Sequence, residues 1–466
     1  MRKLIAAVVA AVVLAGVVLA AVKLRAPPEE EEKPPAEGIV LKVITRHSTT
    51  IWHVSKEMFL KSELAKKYNV VDIRFMGPNP TLWLSTIRKL GDIDIAWGGG
   101  PTLFDILNRE GLLEPITDPE TLKVIDELPK EVGGAPMVRY DEQGRPVWAA
   151  AAISSFGFIV NYNILEKYGL PEPKLWEDLG SIEFAKVLPK PVVAYARPTT
   201  STSHTRIYQI ILQKFGWEKG WALLARIAAN GRPYGGSVEA LTAVESGEVA
   251  VSIAIDFYGY SSEIEFPGTK YVLPFNESIV NGDPIALLKT SKHKEAAQAF
   301  IRFILSTEGQ KIWLDKRINR MPVRKDVFDT PEGKARPDLL KNYMATVENI
   351  GIPFDDERAL RTEEALRYYF DAVYADLHDL LVEVWSKLVK AYKEGKLTEE
   401  EFEKLAYEMG APLKWVQNGV EYEFTEEYAA SINEKLRDPA FASEMMKIWR
   451  DAAREKYMKL LEKIPG

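Results

Sequence analysis

The sequence predicts an α/β protein of two lobes joined by two hinge crossings, followed by a C-terminal helical extension. Three observations carry this reading. Residues 39–109 alternate β-type and helix-type runs at the spacing of parallel βαβ units, and a second alternating block begins after a long apolar crossing at 147–160. A second apolar crossing at 271–288 returns the chain to the first block. Residues 362–464 then hold to helical spacing with no strand pattern.

In chain order, residues 39–45 read as a strand, 51–67 as a helix, 70–75 as a strand, 83–90 as a helix and 93–97 as a strand. The helix at 101–109 opens on Pro101 and is stopped by Gly111. In the second block 192–196 reads as a strand, 205–215 as a helix ended by Gly216, and 217–229 as a helix ended by Asn230 and Gly231. Ser237 is the expected cap of a helix over 238–246, and 249–255 is a buried strand. After the return crossing, 294–305 places Ala297, Phe300, Ile301 and Ile304 on one helix face. The expected domains are residues 39–150 with 284–360 as lobe 1, 151–283 as lobe 2 and 361–466 as the extension. A chain that builds one lobe, crosses, builds another and crosses back leaves a cleft between them.

Composition narrows the function. The chain has 466 residues, more than one hydrophobic core accommodates, and its net charge of -7 gives no basic footprint for a nucleic-acid backbone. No nucleic-acid partner is expected. With no Cys, disulfides, thiolate nucleophiles, Cys-held zinc, iron-sulfur clusters and a lipid-modified Cys are all excluded. No cofactor and no metal are expected. Arg2 and Lys3 precede an apolar run at 4–22, closed by Lys23 and Arg25, and its 19 residues match a spanning helix better than a secretory core. Residues 1–26 are therefore expected to be a signal or membrane anchor. In 27–38 five of twelve residues are Glu and four are Pro, a composition that buries almost nothing and reads as a tether.

Six stretches carry candidate chemistry. At 97–102, a strand end passes through Gly98, Gly99 and Gly100 into Pro101 and Thr102, so that backbone amides and a helix N-terminus face whatever lies above the strand ends. It is neither a Walker A loop nor a dinucleotide fingerprint, since no Gly-Lys-Ser/Thr follows and Leu103 stands where a third glycine would be. Arg46, His47, Ser48, Thr49 and Thr50 form a second strand-to-helix turn with more polar side chains than a cap needs. The third stretch, residues 199–204, is wholly polar, and Thr200, Ser201, Thr202 and Ser203 are assigned to a ligand. Ser154 and Ser155 interrupt the first crossing, while Asp256 and Tyr258 follow the buried strand, where ligands meet open α/β sheets. Asn281, Gly282 and Asp283 read as a turn in the return crossing. These stretches converge only if both lobes face one cleft, in a site of hydroxyls, amides and a few aromatics. No Gly-x-Ser-x-Gly and no His-Glu-x-x-His is present, and an enzyme is not expected.

At these residues the chain resembles the extracellular solute-binding proteins of ABC importers, of the two-lobe, periplasmic-binding-protein-like type II class. The resemblance rests on residues 94–105, 153–162, 213–221, 246–251 and 297–310 and covers about 39–321. It lies nearest the branch of ferric-ion, thiamine, spermidine and phosphosugar binders. It implies a non-enzymatic receptor that closes on a small polar solute and delivers it to an ABC permease with a cytoplasmic ATPase. The N-terminal helix would hold it at the extracellular face of the membrane. Ferric-ion binders of this branch use adjacent tyrosines after the strand that here ends at Ile255; Phe257 and Tyr258 supply one of the pair, with Tyr260 two positions on. Iron is therefore the alternative ligand and an anion the leading one, with a cleft enzyme as the remaining alternative.

Overall fold

The computed structural model describes residues 38–349 and 351–466. The apolar run at 4–22 and all but the last residue of the expected tether lie outside them. In chain order, the first lobe opens with β1 (Ile39–Thr45), α1 (Thr49–Lys61), β2 (Val70–Met76), α2 (Trp83–Leu90), β3 (Ile95–Trp97) and α3 (Pro101–Arg109). Then comes the crossing strand β4 (Pro146–Asn161). The second lobe holds β5 (Val193–Ala196), α4 (Thr202–Phe215), α5 (Trp217–Asn230), β6 (Gly231–Tyr234), α6 (Ser237–Glu245), β7 (Val251–Ile255), α7 (Asp256–Glu265) and β8 (Thr269–Val272). Strand β9 (Val280–Leu288) returns the chain, and α8 (Lys294–Leu305) packs back on the first lobe.

One sheet runs through both lobes in the order β6-β5-β7-β4-β9-β3-β1-β2. Strand β4 makes this possible. Its first half pairs antiparallel with β9, from Ser155 with Val280 to Ala149 with Ile285. Its second half pairs antiparallel with β7, from Phe156 with Ile255 to Val160 with Val251. All 16 residues of β4 are buried, because the strand has cover on both faces rather than one. Parallel pairs flank it in each lobe, β1 with β3 and β5 with both β6 and β7. The two crossings are thus neighbouring strands.

Local chemistry explains where the elements differ from expectation. The helix expected over 51–67 breaks at Ser62, which takes extended backbone and accepts a hydrogen bond from the Ala65 amide at 3.2 Å, starting a new turn. The polar stretch at 199–204 begins α4 three residues early, because Ser201 is its cap and accepts from the His204 amide. Ser237 is not a cap: Gly236 occupies that position and Ser237 is the first helical residue.

The extension starts at Asp356, earlier than the expected 361, with α9 (Asp356–Phe370). It continues through a π turn at Asp371–Ala375, α10 (His378–Lys393), α11 (Glu399–Gly410) and α12 (Pro439–Lys463). Between the helices sits an unexpected hairpin, β10 (Lys414–Gln417) with β11 (Val420–Glu423), turned by Asn418 and Gly419 at positive φ. Its aromatics are core. Tyr369 stacks on Phe424 at 3.6 Å between centroids, and Trp449 meets both edge-on. One hydrophobic cluster contains Val193, Ile211 and Trp221 of the second lobe together with Tyr369, Trp385 and Trp449 of the extension. The first lobe keeps a core of its own around Trp83, Phe104 and Trp148.

Candidate functional site

A cavity of about 1100 Å³ lies where the strand ends of the two lobes meet. Five helices turn their N-termini toward it, those of α1, α3, α4, α6 and α7, and residues of each first turn or cap line the wall. The first amides of a helix have no partner within it, and the peptide dipoles add partial positive charge at that end. Elsewhere in this chain some helices have them satisfied by Asp, Asn, Thr or Ser side chains, as Asp118 does for Thr121, and others, such as those that follow Gly216 and Leu377, do not. Around the cavity they mostly do not. Gly100 caps α3, Gly236 caps α6 and Ile255 caps α7, none with an oxygen to offer, and Ser48 makes no side-chain cap bond to α1. Only Ser201 caps with its side chain. At α7 the Asp256 carboxylate takes the Phe257 amide, so the uncapped amide donors facing this space are those of α1, α3 and α6, an arrangement suited to an anion.

Charged side chains reinforce this. Seven arginines and four acids line the cavity, an excess of three positive charges in a chain whose net charge is -7. Most of those arginines are already paired, but Arg46 has no carboxylate partner among the described residues and only a long bond to the Pro78 carbonyl at 3.4 Å. Gly99 keeps its place open: a Cβ there would come within 3.1 Å of the Arg46 Cγ.

Behind Arg46 lies a buried charged node. Arg320 Nη1 is 2.8 Å from Asp283 Oδ2 and 3.1 Å from His47 Nδ1, while its Nη2 donates to Ser154 Oγ at 3.1 Å. The Gly99 amide donates to Asp283 Oδ1 at 3.1 Å. Burial alone would push the Asp283 carboxyl up, yet Arg320, His47 and the Gly99 amide together hold it below its usual value. Burial pushes His47 down to about 3, so its ring is neutral beside the guanidinium. In the second lobe Ser201, Ser203 and Ser237 form a hydroxyl triangle, with oxygens 3.2, 2.7 and 3.1 Å apart, and Ser201 Oγ sits 2.9 Å from His204 Nδ1. The lobes touch across the cleft through Arg206, which donates to Thr102 Oγ1 at 3.3 Å, to Asn281 Oδ1 at 3.0 Å and to Asp356 Oδ1 at 2.7 Å.

The structure brings twelve of the fifteen expected residues to the cavity wall: His47, Ser48, Gly99, Gly100, Pro101, Thr102, Ser154, Thr200, Ser201, Thr202, Ser203 and Tyr258. Three lie elsewhere. Thr49 is exposed on the first turn of α1 and does not line the cavity. Consecutive strand residues point to opposite faces, so with Ser154 facing the cleft Ser155 faces inward, bonded to Asp256 Oδ2 at 3.0 Å and near the Tyr271 hydroxyl at 3.3 Å. Asp256 is buried with it, accepting from the Ser155 and Phe257 amides. Tyr260, which the iron reading would recruit beside Tyr258, packs edge-on against Tyr271 and is not in the wall. Sequence reasoning missed Arg206 and Arg320 entirely, and it read Asn281 and Asp283 as a turn where the structure has them in strand β9, lining the cavity. A charged residue inside an apolar crossing was the available signal for Asp283.

Residues 84–311 match the model of the family of bacterial extracellular solute-binding proteins. The phosphoglycerate transport regulatory protein PgtC of Salmonella typhimurium, and its counterpart in Salmonella typhi, are 25% identical over 285 residues, 60% of this chain and 66% of theirs. The chain thus spans just under two thirds of the length of these curated relatives. Among solved structures, the periplasmic binding protein AfuA from Actinobacillus pleuropneumoniae, with fructose-6-phosphate bound, superposes with a TM-score of 0.53 at 18% identity, over 67% of this chain and 99% of that one. An ABC transporter structure from Clostridium perfringens gives 0.53 at 23% identity, covering 70% and 97%. Iron-bound HitA from Pseudomonas aeruginosa gives 0.50 at 22% identity, covering 62% and 87%. These likenesses show the two-lobe binding-protein fold, and all are to binding or transport proteins.

Proposed function

We propose, from the premise that this chain is a substrate-binding protein of the ABC-importer type, that its solute is a small anion, a phosphomonoester or small carboxylate, held between the lobes. The observation that carries the reading is the convergence of five helix N-termini, three of them with no side chain taking their first amides, on a cavity with net positive lining. Arg46 supplies the unpaired cation, and the hydroxyls of Ser48, Thr102, Ser154, Ser201 and Thr202 orient the oxygens. Binding across the cleft favours the closed arrangement of the lobes, the form a permease reads. Two of the similar proteins, one of phosphoglycerate transport and one with fructose-6-phosphate bound, agree in chemical class. We further propose that the apolar run at 4–22 and the Pro/Glu-rich tether hold the receptor at the extracellular face of its membrane, near the permease and its ATPase.

The test is thermal unfolding of the full-length protein against inorganic phosphate, glycerol 3-phosphate, 3-phosphoglycerate, fructose 6-phosphate, succinate, ferric ion, thiamine and spermidine. At about 100-fold above Kd a true ligand adds about 2.7 kcal/mol, a Tm rise of roughly 3 °C for a chain of this length. A rise with an anion and no turnover of it supports the reading. A rise with ferric ion or a cation, and with no anion, overturns it.

A further inference from the structure

The C-terminal extension reaches the cavity. Helix α9 runs antiparallel along α4: the Asp355 amide donates to Gln213 Oε1 at 2.8 Å, Gln209 Nε2 donates to Glu363 Oε2 at 3.2 Å, and Arg367 Nε donates to the Pro198 carbonyl at 3.1 Å. This packing places Glu363, Glu364, Arg367 and Tyr368 in the wall of the same cavity that the helix N-termini face. About a third of the present chain lies outside its match to AfuA, which is itself covered almost completely.

The chemistry of this wall is the inverse of the anion end. Glu364 is satisfied by Arg367 at 3.2 Å. Among the described residues Glu363 has no cation within ion-pair distance and accepts a hydrogen bond from Gln209 alone. Beside it, Gln209 is 3% exposed and its Oε1 has no hydrogen-bond partner among the described residues. Two acceptors therefore stand without enough donors, while at the anion end donors stand without acceptors. A buried acceptor left unpaired is costly, so a solute that supplies donors here gains what the free protein lacks. Burial also raises the Glu363 carboxyl above its usual value, against the pull of Arg367, Gln209 and Arg206. The cavity, at about 1100 Å³, has room for more than an anionic head.

We propose that the extension gives the cleft a second subsite, centred on Glu363 and Gln209, which accepts hydrogen bonds from hydroxyl or ammonium groups on the solute and disfavours a second anionic group. This rests on the anion reading and narrows it to solutes with one anionic end and a donor-bearing body.

The experiment is isothermal titration of the full-length protein and of Glu363→Gln with inorganic phosphate, fructose 6-phosphate, glucosamine 6-phosphate and fructose 1,6-bisphosphate, with unfolding curves for each variant. The native protein is expected to bind the monophosphates at least tenfold more tightly than the bisphosphate, and Glu363→Gln to narrow that ratio at least fivefold. A larger loss for glucosamine 6-phosphate than for fructose 6-phosphate identifies an ammonium donor, and equal losses identify hydroxyls. Glu363→Asp, which keeps the charge and shortens the reach, is expected to retain the rejection of the bisphosphate, and it replaces the Gln variant if that one fails to fold. An unchanged ratio in a folded Glu363→Gln overturns the subsite and leaves the anion reading standing. Failure of the native protein to bind any of these phosphates overturns the subsite, and failure to bind succinate as well overturns the anion reading with it.

Discussion

Arg320 and Asp283 meet at 2.8 Å beneath the cleft, with both side chains less than a tenth exposed, and join the segment after α8 to the return crossing. Asp283 also receives the Gly99 amide, so this pair fixes the glycine turn that presents the α3 N-terminus. Removing one partner of a buried pair leaves the other charged and unpaired, at a cost of about 3–5 kcal/mol. Asp283→Ala is therefore expected to lose stability on that scale in urea unfolding without ligand, and Asp283→Asn to lose less because it still accepts from Gly99.

Arg46 tests recognition apart from stability. It has no carboxylate partner among the described residues and stands exposed at the cavity. Arg46→Ala is expected to leave Tm nearly unchanged and to weaken binding of the best anion from the panel by about 10- to 150-fold, the value of one charge-assisted hydrogen bond. Titration calorimetry measures it, and unchanged affinity would remove Arg46 from the site.

Two glycines form a matched pair. Gly98 and Gly144 both sit at φ +76, so an added Cβ carries the same backbone strain of about 1–2 kcal/mol. At Gly144 nothing lies within 4 Å, whereas at Gly98 the Cβ would come within 2.6 Å of the His47 ring. Gly98→Ala is expected to cost several kcal/mol more than Gly144→Ala in denaturant unfolding and to impair binding, which Gly144→Ala leaves intact.

Two buried groups give pH dependences of opposite sign. Burial lowers His204 from 6.5 to about 3, so between those values the unfolded chain takes up a proton that the folded one refuses. Its contribution is complete above pH 6.5 and is lost on acidification, at about 1.4 kcal/mol per pH unit. Burial raises Asp256 from 3.8 to about 7, against the pull of the Ser155 amide and Arg320, so there the folded chain keeps a proton that the unfolded one releases. That contribution is full at acid pH and declines toward pH 7 with a similar slope. His204→Gln is expected to flatten the loss of stability between about pH 6 and 4, and Asp256→Asn to flatten the decline from about pH 4 to 7. Urea midpoints across this range measure both, and unchanged profiles contradict the assignments.

The extension and the second lobe share one cluster, so Trp449, fully buried against Tyr369 and Phe424, supports both. Trp449→Ala is expected to cost about 3–5 kcal/mol. The second lobe and the extension are expected to unfold together, in one transition by fluorescence and circular dichroism. Separate transitions for the two would contradict a common core.

Much of the fold was legible because strands and helices here carry clear periods: 39–45, 83–90, 101–109 and 294–305 were read with their observed bounds. The hairpin at 414–423 was hidden in a helical composition, although Asn418 and Gly419 marked its turn. In the site, the hydroxyl and glycine turns were visible because each lies at a strand end before a helix. Arg206 and Arg320 were not, since an arginine at a helix or loop position says nothing of its surroundings until the fold brings Asp356 or Asp283 to it. Glu363 was out of reach for the same reason: helical spacing placed it on a face without showing that the face closes a cavity.

Native mass spectrometry of the full-length protein, purified without denaturation and then released into acid, reads the solute itself. One bound small molecule with an ionised phosphate or carboxylate is expected, its occupancy falling in Arg46→Ala. A bound ferric ion, or a neutral or cationic solute held equally by the native protein and Arg46→Ala, would contradict it.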